Sequence, residues 1–328
     1  NMEPLVSVII PTKNGEKYLE EVLEMVFKQR APFDFEVIIV DSGSTDKTLE
    51  IVKKFPLIRL YQIPPQEFNH GLTRNFASSK AKGEYLVFLT QDATPVGENW
   101  LVNMIRPFEL DEKIAGLFGQ HLPRADCNPL DKRNISNFFN SFSQNQEMVI
   151  YFIEPGQSGM KKYEESKHLM NYFSNCNSAI RKSVWQKIPF RKVEMGEDQF
   201  WAKDILLAGY KKVYQPKAAV YHSHNYRPYQ YFRRWFDEFR QHKINQNYVG
   251  VSRAWKILPL ALRLAFNDLK YILGQKDYNF WQKIYWIFWS FFVDLSRISA
   301  DYFGGHYKQL PQWLQNKFSM QYYLIHKK

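Results

Sequence analysis

Short apolar runs, each followed by polar residues, constrain the fold of this 328-residue chain more than any other feature. Val6–Pro11 (VSVIIP), Glu36–Val40 (EVIIV) and Tyr85–Leu89 (YLVFL) are such runs. Continuous apolar runs of this length are typical of strands that are buried on both faces of a sheet. The first run is followed by apolar residues at helical spacing, namely Tyr18, Leu19, Val22, Leu23 and Val26. Because strands and helices alternate, the sequence predicts the α/β class, with a mostly parallel sheet and helices on both faces.

Further elements follow the same reasoning as far as residue 225. The patterns predict a strand at Ile58–Ile63, a helix at Gly71–Lys80, strands near Ala115–Gln120 and Tyr172–Ile180 with a polar stretch between them, a helix at Asp198–Leu207 and a short strand at Ala218–Tyr221. In an open parallel sheet, ligands bind beyond the carboxyl ends of the strands. We therefore expect the functional residues at those ends.

The last third of the chain differs from the rest in charge and in aromatic content. Residues 226–328 contain 16 Lys and Arg against 6 Asp and Glu, whereas residues 1–225 contain 28 against 27. The last third also holds six of the nine Trp residues, and its pattern is helical. We therefore predict an α/β domain over 1–225 and a helical, basic, aromatic region over 226–328. The expected partner of the second region is an anionic membrane surface. The alternatives are packing on the first domain or in a homo-oligomer. Nucleic acid is not expected because no recognisable motif accompanies the charge.

Two features bear on localisation. The longest apolar stretch, Ile284–Val293, is shorter than the about 20 residues that a spanning helix needs. Cys127 and Cys176 are far apart and lack metal-ligand spacing, so a reducing compartment is expected. We see no secretory signal, and we expect a peripheral protein on the cytoplasmic face of a membrane.

Polar motifs follow the first two strands directly. Pro11-Thr12-Lys13-Asn14 comes after the first strand, and Asp41-Ser42-Gly43-Ser44-Thr45-Asp46 comes after the second. Asp41 is a candidate acceptor for the imide of a pyrimidine or for a ribose hydroxyl. Ser44, Thr45 and Asp46 are interpreted as capping residues, and Asn14 is predicted to cap the helix after the first strand.

A third acidic motif follows the strand Tyr85–Leu89. A carboxylate such as Asp92 at the end of a hydrophobic strand is costly unless it is paired or binds a cation. A divalent ion there would bridge the two phosphates of a sugar nucleotide. The alternative is an aspartate that only starts a turn before Thr94-Pro95.

Two later motifs complete the set of candidate site residues. Glu197 and Asp198 open a predicted helix, where carboxylates either stabilise the first turn or act on an acceptor hydroxyl, one binding it and the other serving as general base. His222-Ser223-His224 follows a predicted strand, and histidines there suit a metal or a phosphate. Strand alternation would direct only one of them inward, and we favour His224, with His222 structural.

In this order the motifs resemble the family-two glycosyltransferases of GT-A fold, which is Rossmann-like. The resemblance covers roughly residues 5–225 and rests on VSVIIPTKN, VIIVDSGSTDKT, GLTRNFASSKAKGEYLVFLTQDATP, GEDQFWAKDILLAGY and VYHSH. Within the family, FNHGLTRN (68–75) and LTQDATP (89–95) are most similar to bacterial rhamnosyltransferases that build surface polysaccharides from dTDP-rhamnose.

The resemblance implies roles for particular residues. The expected nucleotide site comprises Pro11, Thr12, Asn14, Asp41, Ser42, Arg74 and Gln91. Asp92 matches the last acid of the Asp-x-Asp metal motif, Asp198 the catalytic base and His224 a late ligand near the metal and diphosphate. Thr90 stands where the first acid of that motif is expected. One fewer carboxylate implies a weaker metal site or a diphosphate held partly by other cations.

The implied activity is an inverting transfer of L-rhamnose from dTDP-β-L-rhamnose to a lipid-linked oligosaccharide or polysaccharide, with Mn²⁺ or Mg²⁺ as cofactor. The same fold with a UDP-hexose donor is the first alternative. A non-catalytic membrane- or partner-binding module is an alternative of another class. A nucleotide-dependent oxidoreductase is disfavoured because no strand leads into a Gly-x-Gly-x-x-Gly turn.

Overall fold

The computed structural model describes residues 3–143 and 146–326. The chain divides into two compact units, the first ending at Ser223 and the second beginning at His224. In the part of the first unit that is described, the strands are β1 (Val6–Thr12), β2 (Phe35–Asp41), β3 (Ile58–Gln62), β4 (Tyr85–Leu89), β5 (Thr94–Pro95), β6 (Ile114–Leu122), β7 (Val149–Tyr151), β8 (Asn177–Arg181) and β9 (Lys211–Tyr221).

The helices of the first unit lie between these strands. They are α1 (Leu19–Phe27), α2 (Thr48–Lys53), α3 (His70–Lys80), α4 (Trp100–Ile105), α5 (Pro129–Ser143), α6 (Gln157–Met170), α7 (Lys182–Lys187) and α8 (Glu197–Leu207), with short 3₁₀ turns at Pro65–Glu67 and Arg106–Glu109. The predicted alternation of strands and helices is therefore confirmed for the first half of the unit.

The strands form one mixed sheet in the order β3-β2-β1-β4-β8-β6-β9-β5, and β7 also pairs with β9. Strands β1 to β4 are parallel, β8 is antiparallel to both of its neighbours, and β6 is parallel to β9. The carboxyl ends of β1, β2, β4, β6 and β9 and the beginning of β8 consequently meet at one edge. The motifs that follow β1, β2, β4 and β9 lie at this edge, whereas FNHGLTRN leads into α3, and Glu197 and Asp198 begin α8.

Both faces of the sheet are covered. Val8 and Ile10 of β1 pack into a core that includes α1 and α4, whereas Ile9 packs into another core that includes α3 and α8. All three side chains are fully buried, which contributes about 1.5–3 kcal/mol for each. The uninterrupted apolar composition of β1 follows from this burial on both sides, and the prediction of helices on both faces is confirmed.

The bounds of two predicted strands in the second half of the unit were wrong, and the polar stretch contains elements that were not predicted. The polar stretch before β8 contains α5, β7 and α6, and the strand expected at Tyr172–Ile180 is confined to Asn177–Arg181. The strand expected at Ala218–Tyr221 is only the end of β9, which begins at Lys211. The beginning of β9 was missed because it is basic, yet Lys212 is fully buried and its Nζ donates hydrogen bonds to the carbonyl oxygens of Leu169 and Tyr172.

The second unit is helical. Its helices are α9 (Pro228–Gln246), α10 (Ile257–Gly274), α11 (Phe280–Gly305), α12 (Gln312–Phe318) and α13 (Met320–His326), with 3₁₀ turns at Ala254–Lys256 and Tyr307–Gln309. A small core forms where Phe232 and Phe236 of α9 meet Ala300 of α11. Gly304 permits this approach, since a Cβ there would lie 2.8 Å from the Cβ of Phe239.

Helices α10 and α11 pack on each other and also carry many exposed apolar side chains. These are Leu258, Leu262, Phe266, Leu273, Phe280, Trp281, Tyr285, Phe288 and Phe292. Within residues 3–143 and 146–326, none of the helices combines the length and the apolar character that crossing a membrane requires.

Candidate active site

The ends of β1 and β2 are joined through a buried carboxylate. Thr12 lies opposite Asp41 in the parallel register, and its Oγ1 donates a hydrogen bond of 2.9 Å to Asp41 Oδ2. Asp41 also accepts hydrogen bonds from the backbone N–H of Gly43 and from the N–H and Oγ of Ser44. A carboxylate has about four acceptor positions, and these four donors match that number. A pyrimidine or ribose would therefore bond to Asp41 only in exchange for one of them.

Two amide side chains hold the neighbouring loops together. Asn14 has a positive φ of 49°, and its Oδ1 accepts a hydrogen bond of 2.8 Å from the backbone N–H of Thr45. The prediction that Asn14 caps α1 was wrong, because α1 begins later, at Leu19, and Asn14 instead bonds to the loop after β2. Gln91 exchanges two hydrogen bonds of 2.9 Å with the backbone N–H and C=O of Lys13.

The residues of β1, β2 and their following loops that are expected to bind the nucleotide thus lie together at one rim of the sheet, the edge where the carboxyl ends of the strands meet. Ser42 donates through both its N–H and its Oγ to the carbonyl of Thr12, and Pro11 is the residue before Thr12 in β1. Together with Asp41, Asn14 and Gln91, these residues connect the ends of β1 and β2 with the loop between β4 and β5. Their contact with a nucleotide stays a prediction.

Asp92 lies beside a histidine on the same rim. The Oδ1 of Asp92 is 3.6 Å from Nε2 of His222, and the Asp92 side chain is 25% exposed. Burial would lower the pKa of His222, but Cys176 and the Asp92 carboxylate raise it well above its usual value. Strand β9 ends at Tyr221, so His222 lies just outside the strand from which its structural role was expected, although its N–H donates a hydrogen bond to the carbonyl of Leu122 in β6. His222 is therefore a further candidate for a functional role, although the sequence analysis expected it to be structural.

Arg124 fixes the loop that carries Asp92, and no sequence pattern identified it. Its guanidinium is buried and donates to both carboxylate oxygens of Glu21, at 3.1 and 3.2 Å, and to the carbonyl of Asp92 at 2.9 Å. It also donates to Thr94 Oγ1 at 2.7 Å and lies over the ring of Tyr18. A lone arginine after β6 carries no pattern that would connect it to residues about a hundred positions away.

Glu197 and Asp198 begin α8 directly after Gly196, whose φ of 78° is the left-handed conformation that glycine adopts readily. Asn175 contacts both acids: its backbone N–H donates to Asp198 Oδ2 at 3.0 Å, and its side-chain Nδ2 donates to Glu197 Oε1 at 3.1 Å. Burial and the negative charge of Glu197 raise the pKa of Asp198 to about 7. A carboxyl group with that pKa is suited to accept a proton near neutral pH.

Glu197 is held ionised by Arg74. The two side chains are about 5% exposed, and Nη1 of Arg74 lies 3.1 Å from Oε1 of Glu197. Burial alone would raise the pKa of Glu197, but the guanidinium of Arg74 and, to a lesser degree, His70 hold it below its usual value. Nε of Arg74 is buried without a hydrogen-bond partner among the described residues.

The asparagines of the motif FNHGLTRN position the segment that leads into α8. Asn69 caps α3 by accepting from the N–H groups of Gly71 and Leu72, and its Nδ2 donates to the carbonyl of Val193. Asn75 exchanges hydrogen bonds with the backbone of Phe190. The motif therefore sets the position of the acids as well as supplying Arg74.

Consecutive residues connect the acid pair with the neighbourhood of Asp92. Asn175 contacts Glu197 and Asp198, while Sγ of the next residue, Cys176, lies 3.0 Å from Oγ1 of Thr90. Thr90 is the position at which the first acid of Asp-x-Asp was expected. Although burial opposes it, the imidazoles of His222 and His121 lower the pKa of Cys176 to about 6.

His224 is the first residue of the second unit, and its ring stacks on Tyr226 with a centroid distance of 4.9 Å. Its expected role as a metal ligand stays a prediction.

Comparison with known proteins gives consistent matches. The sequence model of Glycosyl transferase family 2 matches residues 7–188. The chain is 28% identical over 325 residues to the O-antigen chain rhamnosyltransferase RfbN of Salmonella typhimurium, covering 96% of this chain and 94% of that protein. It is 29% identical over 328 residues to the O-antigen chain rhamnosyltransferase WbaN of Salmonella anatum, covering 97% and 94%.

Among solved structures, the chain resembles the mannosyltransferase PcManGT from Pyrobaculum calidifontis, determined in complex with GDP-Man and Mn²⁺. The TM-score is 0.58 at 19% identity, with 92% of this chain and 88% of that chain covered. At this identity the similarity concerns the fold alone, and it agrees with the predicted GT-A architecture.

Proposed function

This chain belongs to glycosyl transferase family 2 and is a glycosyltransferase, and we propose that it transfers L-rhamnose from dTDP-β-L-rhamnose to a hydroxyl of a surface polysaccharide or its lipid-linked precursor. The observation that carries the choice of sugar is the similarity to two O-antigen chain rhamnosyltransferases over nearly their whole lengths. The mixed sheet and the acids on its rim support the reaction type.

In the proposed reaction Asp198 is the general base. Each of its carboxylate oxygens accepts one backbone N–H, from Asn175 and from Gln199, which orients the group and leaves acceptor capacity on both oxygens. Asp198 takes the proton of the acceptor hydroxyl as that oxygen forms a bond to the anomeric carbon and the bond to the diphosphate oxygen breaks. A single displacement inverts the anomeric configuration. Glu197, ionised beside Arg74, is proposed to hold the acceptor.

The residues around Asp92 fit a divalent ion, Mn²⁺ or Mg²⁺, as the family implies. A partly exposed carboxylate 3.6 Å from an imidazole nitrogen is a suitable pair of ligands, and the exposure leaves room for phosphate oxygens. When bound, such an ion supplies positive charge to a departing diphosphate. We propose Asp92 and His222 as ligands. His224 remains a proposed third ligand, since two residues of chain span at most about 7 Å.

A donor screen tests the proposed sugar and nucleotide. Release of nucleoside diphosphate is measured with dTDP-rhamnose, UDP-glucose, UDP-galactose and GDP-mannose, each with Mn²⁺ and with a chelator. We expect dTDP-rhamnose to be preferred by at least about tenfold, because a site shaped for one base and sugar leaves polar groups unpaired with another. Chelation is expected to reduce the rate. The Asp198→Asn variant provides the control for release unrelated to the site.

Other outcomes of the screen favour specific alternatives. A preference for UDP-glucose or UDP-galactose would replace the rhamnose proposal with a UDP-hexose enzyme of the same fold. Equal release by the wild type and Asp198→Asn with every donor would favour a non-catalytic binding module.

We further propose that the second unit binds the anionic cytoplasmic face of a membrane, where a lipid-linked acceptor would lie. Leu258, Leu262 and Phe266 are spaced four residues apart on α10, and each is more than half exposed. Trp281, Tyr285, Phe288 and Phe292 recur at helical spacing on α11 and are also more than half exposed. The excess of Lys and Arg after residue 225 complements anionic lipid, and Trp and Tyr suit the interface.

Vesicle sedimentation tests this attachment. The variant Leu262→Glu/Phe266→Glu/Phe288→Glu is expected to bind vesicles containing anionic phosphatidylglycerol at least about tenfold more weakly than the wild type, because burying each such side chain is worth about 1.5–3 kcal/mol. Leu57→Glu is the matched control, since Leu57 is 77% exposed but lies in the first unit. Unchanged binding in the triple variant would contradict the proposal. A loss of dimer mass without any lipid binding would instead identify the face as a homo-oligomer interface.

A further inference from the structure

A cluster of soft metal-ligating groups lies beside the proposed ion site. One ligand atom from each of His121, Cys176 and His222 lies within 4.8 Å of the other two. The rings of His121 and His222 are 5.2 Å apart at 79°. Neither the proposed proton transfer nor donor binding uses His121 or Cys176.

The sheet topology explains why these three residues meet. His121 is near the end of β6, opposite Val220 of the parallel strand β9, so His222 follows at the same edge. Strand β8 runs antiparallel to β6, and Cys176 immediately precedes β8. Three neighbouring strands thus deliver one ligand each from segments that are distant in sequence.

One histidine of the cluster, His121, has a buried polar atom that no hydrogen bond explains. His121 is 7% exposed, and its Nε2 is buried without a hydrogen-bond partner in the described part of the chain. Buried polar groups almost always have a partner, and each exception needs a cause such as an ion. This buried nitrogen is an indication of a ligand that is independent of the grouping of the three side chains.

The chemistry of the donor set selects the ion. Two imidazoles and one thiol suit Zn²⁺ and similar thiophilic ions, whereas Mg²⁺ and Mn²⁺ prefer oxygen ligands. Bonds of about 2.0 Å to nitrogen and 2.3 Å to sulfur place tetrahedral ligand atoms roughly 3.5 Å apart. Modest side-chain rotation from the present separations would therefore close the site, and a water molecule would complete it.

We propose that His121, Cys176 and His222 form a second divalent-cation site, selective for Zn²⁺, which shares His222 with the ion site at Asp92. Zn²⁺ in the cluster withdraws His222 from Asp92, so it inhibits the transferase rather than activating it. Only this inhibitory consequence rests on the proposed function, because binding of Zn²⁺ does not depend on turnover.

Cobalt substitution tests the site directly. The full-length protein, freed of metal, is titrated with Co²⁺ and then with Zn²⁺ while the thiolate-to-cobalt charge-transfer absorption in the near ultraviolet is followed. We expect the band to saturate at one equivalent, to be displaced by Zn²⁺ and to be absent in Cys176→Ser. Cys127→Ser is the matched control, because Cys127 is the one other cysteine of the chain and should retain the band.

A second variant and an activity measurement complete the test. His121→Ala, checked for folding by its thermal transition, is expected to weaken Zn²⁺ binding by at least about tenfold. With Mn²⁺ present, Zn²⁺ is expected to inhibit the wild type and Cys127→Ser but not Cys176→Ser, each relative to its own rate. A band of equal intensity in Cys176→Ser, or no band in the wild type, would overturn the site. If no donor is turned over, the proposed function fails while the cobalt titration still decides the site.

Discussion

Asp198→Asn is expected to lower kcat by about 10²- to 10⁴-fold, with a much smaller effect on donor affinity. The variant keeps the size of the side chain, but its one oxygen can accept only one of the two backbone N–H groups, from Asn175 and Gln199, that bond to separate carboxylate oxygens in the wild type. It loses the ability to take a proton from the acceptor hydroxyl, and a positioned base contributes about 10²- to 10⁴-fold. The measurement is kcat for rhamnosyl transfer, together with the Kd of the donor.

The pH profile provides the sharper form of this prediction. Because the pKa of Asp198 is raised to about 7, kcat/KM of the wild type should rise tenfold per pH unit below about pH 7 and level off above it. The value of kcat/KM rises with pH because the base is active only when it is deprotonated. The residual kcat/KM of Asp198→Asn should lack this acid limb, which is the rise below about pH 7. An unchanged limb in the variant would assign the titration, and hence the base, to another group.

The parts of the fold that the sequence predicted are those that burial alone determines. Strands β1, β2 and β4 are buried on both faces, so their apolar runs identify them without any knowledge of their neighbours. The beginning of β9 could not be identified in this way. Lys212 is tolerated there only because carbonyl groups from the end of α6 and the loop after it accept its hydrogen bonds, and that arrangement depends on the folded chain.

The same distinction applies to the site. Acids and histidines near strand ends and at the start of α8 were identifiable from residue type and position, although their roles stay predictions. Asn175 and Arg124 were not identifiable, because they act by bonding to residues distant in sequence: Asn175 to Asp198 and Arg124 to Glu21. His222 was expected from strand alternation to be structural, although it lies just beyond the last residue of β9, and its role stays a prediction.

The buried ion pair between Arg74 and Glu197 leads to the second large effect, on stability. Arg74→Met is expected to lower the free energy of unfolding by about 3–5 kcal/mol, because it leaves Glu197 buried and without its charged partner. Chemical denaturation monitored by fluorescence gives the value. Lys54→Met is the matched control: Lys54 pairs with Glu20 at 2.7 Å, but both side chains are about half exposed, so a change of at most about 1 kcal/mol is expected.

A double-mutant cycle measures the interaction energy between Arg74 and Glu197. The same variants are expected to change the pKa of the proposed base, Asp198. Arg74→Met/Glu197→Gln removes both charges, so we expect it to be more stable than Arg74→Met, with an interaction energy of about 0.5–3 kcal/mol. Since Glu197 raises the pKa of Asp198 and Arg74 lowers it, Glu197→Gln should move the acid limb of kcat/KM to lower pH, and Arg74→Met should move it to higher pH. Additive stabilities would show that Arg74 and Glu197 do not stabilise the fold as a pair. Acid limbs that shift in the same direction would show that their charges do not act on the pKa of Asp198 in opposite senses.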